Sequence, residues 1–272
     1  MIQDAPRRRP VSRGAYLLPS LFTVANMLLG FYAVVCGLRG DFRLAAILVF
    51  VAAIVDTFDG LIARLTGTES EFGKEYDSLA DVITFGAVPA ILTWLWGLDE
   101  LHRDAWLVPL FFMVCTATRL ARFNVQHKVL DKRWFVGLPT PAAAGTICSL
   151  LFYAPDREWK TWIIGLVAVA LLLVGLLMVS TFRYRSVKGF DARQRMSYRI
   201  AVPIAALLLI IYYQPYAVFL ILAVAYTLSG PLLWLFGQIR GRGRQQPETP
   251  SEIRIEPAEP PPVEDDLPPY RR

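Results

Sequence analysis

From Thr161 to Phe182 the chain reads TWIIGLVAVALLLVGLLMVSTF, with no charged residue. A bilayer has a hydrocarbon core of roughly 30 Å, and a helix of about 20 apolar residues crosses it. Lipid offers no partner to backbone N–H and C=O groups, so such a run must satisfy them itself, as a helix. Runs of this kind recur at 16–38, 43–63, 77–98, 105–123, 140–154, 161–182, 198–213 and 215–237. The expected fold is all-α: a polytopic membrane helical bundle of about eight transmembrane helices. The composition agrees, since 55% of residues are hydrophobic and the mean hydropathy is +0.42. The run at 140–154 is short and starts between prolines, and the last two runs are separated only by YYQPY. The first run is too long for a cleavable signal peptide and lacks a small-residue cleavage pattern.

Lysine and arginine collect on the cytoplasmic side of membrane proteins. With the N-terminus placed inside, 20 of the 28 basic residues fall in inside segments and five in outside loops (Arg39, Arg43, Arg103, Arg157, Lys160). That asymmetry predicts eight spans with both termini cytoplasmic. The net charge of +5 then reads as membrane orientation and attraction to anionic head groups. No nucleic-acid motif accompanies it.

Three parts follow: a basic tail over 1–15, a transmembrane helical domain over 16–238, and a tail over 239–272, basic and then rich in Pro and Glu. The distal tail lacks apolar periodicity and is expected to be disordered. Cys36, Cys115 and Cys148 fall inside apolar runs and read as small buried residues. His102 and His127 lie on opposite sides in this topology, which argues against a histidine metal site. Trp94, Trp96, Trp106, Trp159 and Trp162 read as interfacial anchors.

One stretch resists this apolar pattern. VDTFDGLIARLTGTESEFGKEYDSLAD, residues 55–81, carries Asp56, Asp59, Asp77 and Asp81 beside membrane-spanning sequence. An aspartate at a helix centre in a bilayer costs roughly 2.5–3.5 kcal/mol. Asp56 and Asp59 are spaced i, i+3 near the end of one helix, and Asp77 and Asp81 are spaced i, i+4 at the start of the next. A short loop makes the two helices antiparallel neighbours, so the four carboxylates can converge at the membrane surface, with Asp77 near a helix N-terminus. All-oxygen donors without Cys or His suit Mg²⁺ or Mn²⁺. Gly60 and Ala63 leave room for a bulky ligand, and Arg64 can pair with phosphate or carboxylate. This face predicts a metal–diphosphate site.

The order Asp56-x2-Asp59-Gly60-x2-Ala63-Arg64-x8-Gly73-x3-Asp77-x3-Asp81 resembles the signature of the CDP-alcohol phosphatidyltransferase family at every fixed position. The resemblance implies an integral membrane enzyme with a six-helix core, a homodimer, and two divalent ions, Mg²⁺ or Mn²⁺. It implies that Asp56, Asp59, Asp77 and Asp81 ligate metal, with Asp81 also the general base. Asp56, Gly60, Ala63 and Arg64 would adjoin the nucleotide, and Gly73 would shape the loop. DSLADVITFGAVPA (77–90), ATRLARFNV (117–125), GLPTPAAA (137–144) and STFRYRSVK (180–188) are similar to the serine-accepting branch. That branch often carries Asn where this chain has Ser20, which places weight on Thr23 and Asn26 as nucleotide neighbours.

The implied reaction moves a phosphatidyl group from CDP-diacylglycerol to the hydroxyl of L-serine, giving phosphatidylserine and CMP, at a bacterial inner membrane. Arg119, Arg122, Asn124 and Lys188 are the candidates for the serine and phosphate pocket. Three readings stay open beside it: a sibling enzyme using glycerol phosphate, inositol phosphate or choline; a cation-coupled transporter using the same aspartates; and a non-catalytic lipid scaffold. No internal repeat or inverted pair of broken helices supports the transporter.

Overall fold

The computed structural model describes residues 17–66, 70–126, 134–156, 160–185, 209–210 and 212–239. The chain divides into two compact units, Met1–Trp234 and Leu235–Arg272. Of the second, only residues 235–239 are described, so the account below concerns the first.

Helices α1 (Leu17–Leu38) and α2 (Phe42–Thr66) form a hairpin. The turn between them needs Gly40, whose φ of +80° lies in the left-handed region that side chains disfavour. Asp41 then starts α2: its Oδ1 accepts the Leu44 amide at 2.9 Å, a helix N-cap. Ala33, Cys36, Ala45, Ala46, Val49 and Ala52 are buried, and such small side chains let helices approach closely in lipid.

The next rod has three parts: α3 (Glu71–Asp81), a π-helical turn (Val82–Ala87) and α4 (Val88–Trp96). The sequence predicts a span from residue 77, whereas the helix begins six residues earlier. The reason is local: Ser70 Oγ accepts the Gly73 amide at 2.9 Å and caps the helix there. In the π-turn, the Val88 amide reaches back five residues to the Ile83 carbonyl. This wider bonding precedes Pro89, which has no N–H to offer. Both neighbouring helices come close at this turn. A Cβ on Gly30 of α1 would lie 2.9 Å from Thr84 Oγ1, and one on Gly86 would lie 3.0 Å from a methyl of Thr116.

Helix α5 (Leu107–Gln126) packs along α7 (Thr161–Val179), with Gly175 set against Phe111 and Cys115. Helix α6 (Thr140–Tyr153) packs on α2. Two short strands, β1 (Trp134–Val136) and β2 (Arg183–Arg185), pair antiparallel, with Phe135 opposite Tyr184. Tyr184 points inward and is fully buried. Its hydroxyl donates to the Thr227 carbonyl of α8 (Pro215–Ile239) at 3.0 Å. Its ring fills the space beside Gly230, where a Cβ would sit 2.4 Å from the ring.

The chain is an all-α polytopic membrane protein, with this ribbon as a small exception among the described residues. Among the described residues, five stretches are long and apolar enough to cross a bilayer: Leu21–Leu38, Phe42–Ile62, Glu71–Trp96, Thr161–Val179 and Pro215–Phe236. Helix α6 has 14 residues, or about 21 Å at the helical rise. The span expected at 198–213 lies almost wholly outside the described residues, as do both tails. All three cysteines are buried and free. Trp96 departs from the anchor role: it is buried in the core, and its Nε1 donates to the Ala154 carbonyl at 2.7 Å. The indole N–H of a buried Trp needs such a partner. Trp106 and Trp162 are exposed, Trp94 is half-buried, and Trp159 is not among the described residues.

Tyr184 against Gly230 gives a direct test of the fold. Gly230→Val should overpack that contact and lower stability by about 1–3 kcal/mol, read as a depressed melting temperature in detergent. Gly165→Val is the comparison, because a Cβ at Gly165 meets nothing within 4 Å.

Candidate active site

Helices α2 and α3 bring Asp56, Asp77 and Asp81 together. One carboxylate oxygen from each lies within 4.8 Å of the others, and all three residues are half-buried. Asp56 and Asp81 are within hydrogen-bonding reach of each other. Carboxylates this close repel unless a proton or a cation lies between them.

Asp59 takes a different course. It is buried on the side of α1, where Thr23 Oγ1 donates to its Oδ2 at 2.6 Å. It remains within electrostatic reach of Asp77. One turn further along α1, Asn26 is fully buried; its backbone carbonyl accepts from Thr84 Oγ1 at 3.4 Å. Its side-chain amide has no protein partner among the described residues, and neither do Oδ1 of Asp59, Asp77 and Asp81. Buried polar atoms normally have partners, so these orphans mark a place built for something else. Oxygen donors at this spacing fit a hard divalent cation, which would take up the orphan carboxylate oxygens.

Two sequence expectations change here. Asp77 does not sit at a helix N-terminus. The helix starts at Glu71, so Asp77 lies at the end of the second turn, beyond the first turn over which the macrodipole acts. Gly73 is not a loop residue. Its amide belongs to the first turn of α3 and donates to Ser70, and a Cβ would crowd Ser70 Oγ at 3.0 Å. At Gly60 a Cβ would meet nothing within 4 Å, so open space adjoins that side of α2. The side chains of Ala63 and Arg64 lie outside the described set, and Lys188 lies outside the described residues altogether.

The basic residues divide sharply. Arg119 is 7% exposed and within electrostatic reach of Asp81. Its Nη1 donates to Thr140 Oγ1 at the start of α6, and its Nε has no partner among the described residues. Arg122, one turn on, is spent on backbone. Its Nη1 donates to the Val179 carbonyl at 2.8 Å, and its Nη2 reaches the Val136, Met178 and Ser180 carbonyls at 3.3 Å each. It closes the end of α7 and ties it to the ribbon. Gly137 is required beside it, at φ +79°, because a Cβ would meet the Met178 carbonyl at 2.3 Å. Asn124 Nδ2 donates to Ser78 Oγ at 3.0 Å and Glu75 Oε2 at 3.4 Å, joining α5 to α3.

Thr140 and Tyr226 were not singled out by the sequence. Thr140 carries a faint signal, a threonine between two prolines at a helix start. Tyr226 carries none; it comes within electrostatic reach of Arg119 only through the packing of α8.

Residues 16–179 match the profile of the CDP-alcohol phosphatidyltransferase family. The chain belongs to that family. The family match spans α1 to α7 and stops before β2 and α8. A Helicobacter pylori (strain J99) protein named CDP-diacylglycerol–serine O-phosphatidyltransferase is 31% identical over 230 residues, 83% of this chain and 94% of its own length. An archaetidylserine synthase of Methanothermobacter thermautotrophicus is 35% identical over 177 residues, 64% of this chain and 72% of its own. A Mycobacterium leprae protein with the same name as the Helicobacter one is 37% identical over 151 residues, 53% of this chain and 50% of its own.

The family site and its scaffold can be separated by mutation. Asp77→Asn and Asp81→Asn should each weaken Mn²⁺ binding at least about tenfold, read by electron paramagnetic resonance, as expected for a lost charged ligand. Arg122→Ala should leave Mn²⁺ binding unchanged and lower the melting temperature, with a loss of about 1–3 kcal/mol for its charged hydrogen bonds.

Proposed function

We propose that the chain transfers the phosphatidyl group of CDP-diacylglycerol to L-serine, releasing CMP. The observation that carries this reading is the Asp56–Asp77–Asp81 cluster backed by the buried Arg119–Thr140 pair. The names of the relatives support serine as the acceptor.

Asp56, Asp77 and Asp81 would hold Mg²⁺ or Mn²⁺, with Asp59 nearby able to complete a site for two ions. Bound there, the metal would offset charge on the diphosphate and on the departing CMP. Thr23 fixes one oxygen of Asp59 and leaves the other for this use. Asp56, Gly60, Ala63 and Arg64, with Thr23 and Asn26, are the residues proposed to bind the nucleotide. The open space at Gly60 suits close approach of a nucleotide to the α2 backbone.

Asp81 accepts the proton of the serine hydroxyl. The hydroxyl oxygen forms a bond to the lipid-side phosphorus as the bond from that phosphorus to the bridging oxygen breaks, and CMP leaves with the electron pair. Most of the acceleration in such a transfer comes from positioning and charge. Arg119 supplies a fixed cation beside Asp81 and binds the serine carboxylate, with Thr140 holding its guanidinium. Asn124 and Lys188 are the further residues proposed to bind serine and phosphate. Arg122, placed beside them by sequence, acts on the frame that holds Arg119.

Acyl chains remain in lipid while serine and nucleotide arrive from water. On this reading the acidic end of the bundle lies at the cytoplasmic face of a bacterial inner membrane, with both termini inside. A homodimer is part of the same proposal, on the family resemblance.

The test is CMP release from CDP-diacylglycerol by purified protein with Mn²⁺ or Mg²⁺. L-Serine should support release, while glycerol 3-phosphate, inositol 1-phosphate and choline should not; EDTA should abolish it. Asp81→Asn should reduce kcat by about 10²–10⁴-fold, the usual contribution of a general base. Release with another acceptor only would overturn the serine assignment. Arg119→Gln should raise KM for serine more than KM for the lipid; an equal rise in both would remove Arg119 from the serine pocket.

A further inference from the structure

The middle of α8 reads YTLSGP, Tyr226 to Pro231, and takes no part in the acidic cluster. Pro231 lies inside the helix and has no N–H, so the carbonyl four residues back, that of Thr227, loses its helical partner. Tyr184 of β2 supplies another: its hydroxyl donates to that carbonyl at 3.0 Å. Gly230 leaves room for the Tyr184 ring, which then lies against the ring of Tyr226 with centres 5.8 Å apart. Thr227 Oγ1 in turn lies 2.7 Å from Thr146 Oγ1 of α6. Tyr226, Thr227 and Gly230 share one helix face. A single turn of α8 is therefore pinned to both the ribbon and α6, and Tyr226 is held in it.

This turn meets the basic part of the site. Tyr226 is half-buried and borders the same gap between α6 and α8 as Ala142, which is two residues past Thr140. Thr140 Oγ1 accepts from Arg119 Nη1, and the Arg119 guanidinium lies 5.9 Å from the centre of the Phe123 ring. The phenol of Tyr226 is within electrostatic reach of that guanidinium. A guanidinium has five N–H donors in a planar fork. Arg119 commits one nitrogen to Thr140, and its buried Nε has no partner among the described residues. Apart from its ring contact with Tyr184, the Tyr226 side chain makes no hydrogen bond to a described residue. A carboxylate has about four lone-pair sites and is held best by charged and bidentate donors. A guanidinium with donors to spare and an unspent phenol O–H within its reach have the chemistry to share one.

We propose that Tyr226 donates its hydroxyl to the carboxylate of the acceptor alcohol, alongside the guanidinium of Arg119, and so selects acceptors that carry an α-carboxylate. Resting on the serine-transfer reading above, this adds a specificity-determining residue to it. Tyr226 lies beyond residues 16–179, the part of the chain that matches the family. The aspartates sit inside that part, whereas one of the contacts that choose the acceptor comes from a helix that follows it.

The test removes one oxygen. Tyr226→Phe keeps the ring and its packing on Tyr184 and loses only the donor. CMP release is measured with L-serine and with L-serinamide, which has the same hydroxyl and amine but no carboxylate. Tyr226→Phe should raise KM for L-serine roughly tenfold to a hundredfold, the range for a hydrogen bond to a charged group. It should change KM for CDP-diacylglycerol, kcat/KM for L-serinamide and the melting temperature little, less than twofold for the kinetic values. Tyr212→Phe, at a tyrosine 81% exposed, is the control and should change none of them. Equal loss with both acceptors is what a merely structural role gives, and it overturns the proposal, as does an unchanged KM for L-serine.

Binding is read separately by saturation-transfer difference NMR in Mg²⁺ without the lipid substrate, so that no turnover is needed. A serine signal that falls in Tyr226→Phe while the serinamide signal holds supports the carboxylate contact even where no acceptor releases CMP. A serine signal equal in the two proteins overturns that contact, and CMP release with serine then leaves the transfer reading standing.

Discussion

Negative charge at the edge of a hydrocarbon slab is the constraint on which the rest of this structure depends. Three carboxylates within 4.8 Å are unfavourable in water and more so near lipid. The neighbouring elements can be read as means of holding them there. The Gly40 turn and the Asp41 cap align α1 with α2, and Ser70 starts α3 early enough to deliver Asp77 and Asp81 from within a formed helix. Thr23 then holds the fourth carboxylate from α1. No carboxylate of the set is on a loop, so the site takes its precision from packed helices.

Two arginines on one face of α5 show how little residue type says about role. Arg119 and Arg122 are a turn apart and both read as basic anchors or pocket residues. In the fold, Arg119 is buried, donates to the Thr140 hydroxyl, lies over the Phe123 ring and has an acid in reach, whereas Arg122 donates to four carbonyls. An arginine saturated by backbone has few donors left for a substrate. Arg119, whose Nε has no partner among the described residues, has them.

The sequence carried the spans and the acidic motif well because both are local. Apolar runs have a length set by the bilayer, and i, i+3 or i, i+4 spacing sets a shared face. It carried the start of α3 poorly, because EFGKEY looks polar and loop-like until the Ser70 cap is seen. Trp96 was misread for a related reason: a tryptophan at the end of an apolar run has the same pattern whether it faces head groups or the Ala154 carbonyl. Least legible were Tyr184 against Gly230 and Tyr226 near Arg119. Those neighbours are distant along the chain, and nothing periodic announces such a meeting. Thr23 turning Asp59 aside from the other three belongs to the same class.

The π-turn after Asp81 has a consequence for how the protein tolerates change. It amounts to one extra residue in an otherwise α-helical rod, and so resets the rotational phase between α3 and α4. The acidic half and the buried half of the rod each keep their own orientation. Substitutions that rotate α4 slightly in its packing need not swing Asp77 and Asp81 with it. The rod behaves less as a single shaft than as two shafts joined by a coupling, and the coupling sits where Gly30 and Gly86 allow α1 and α5 to grip it from either side.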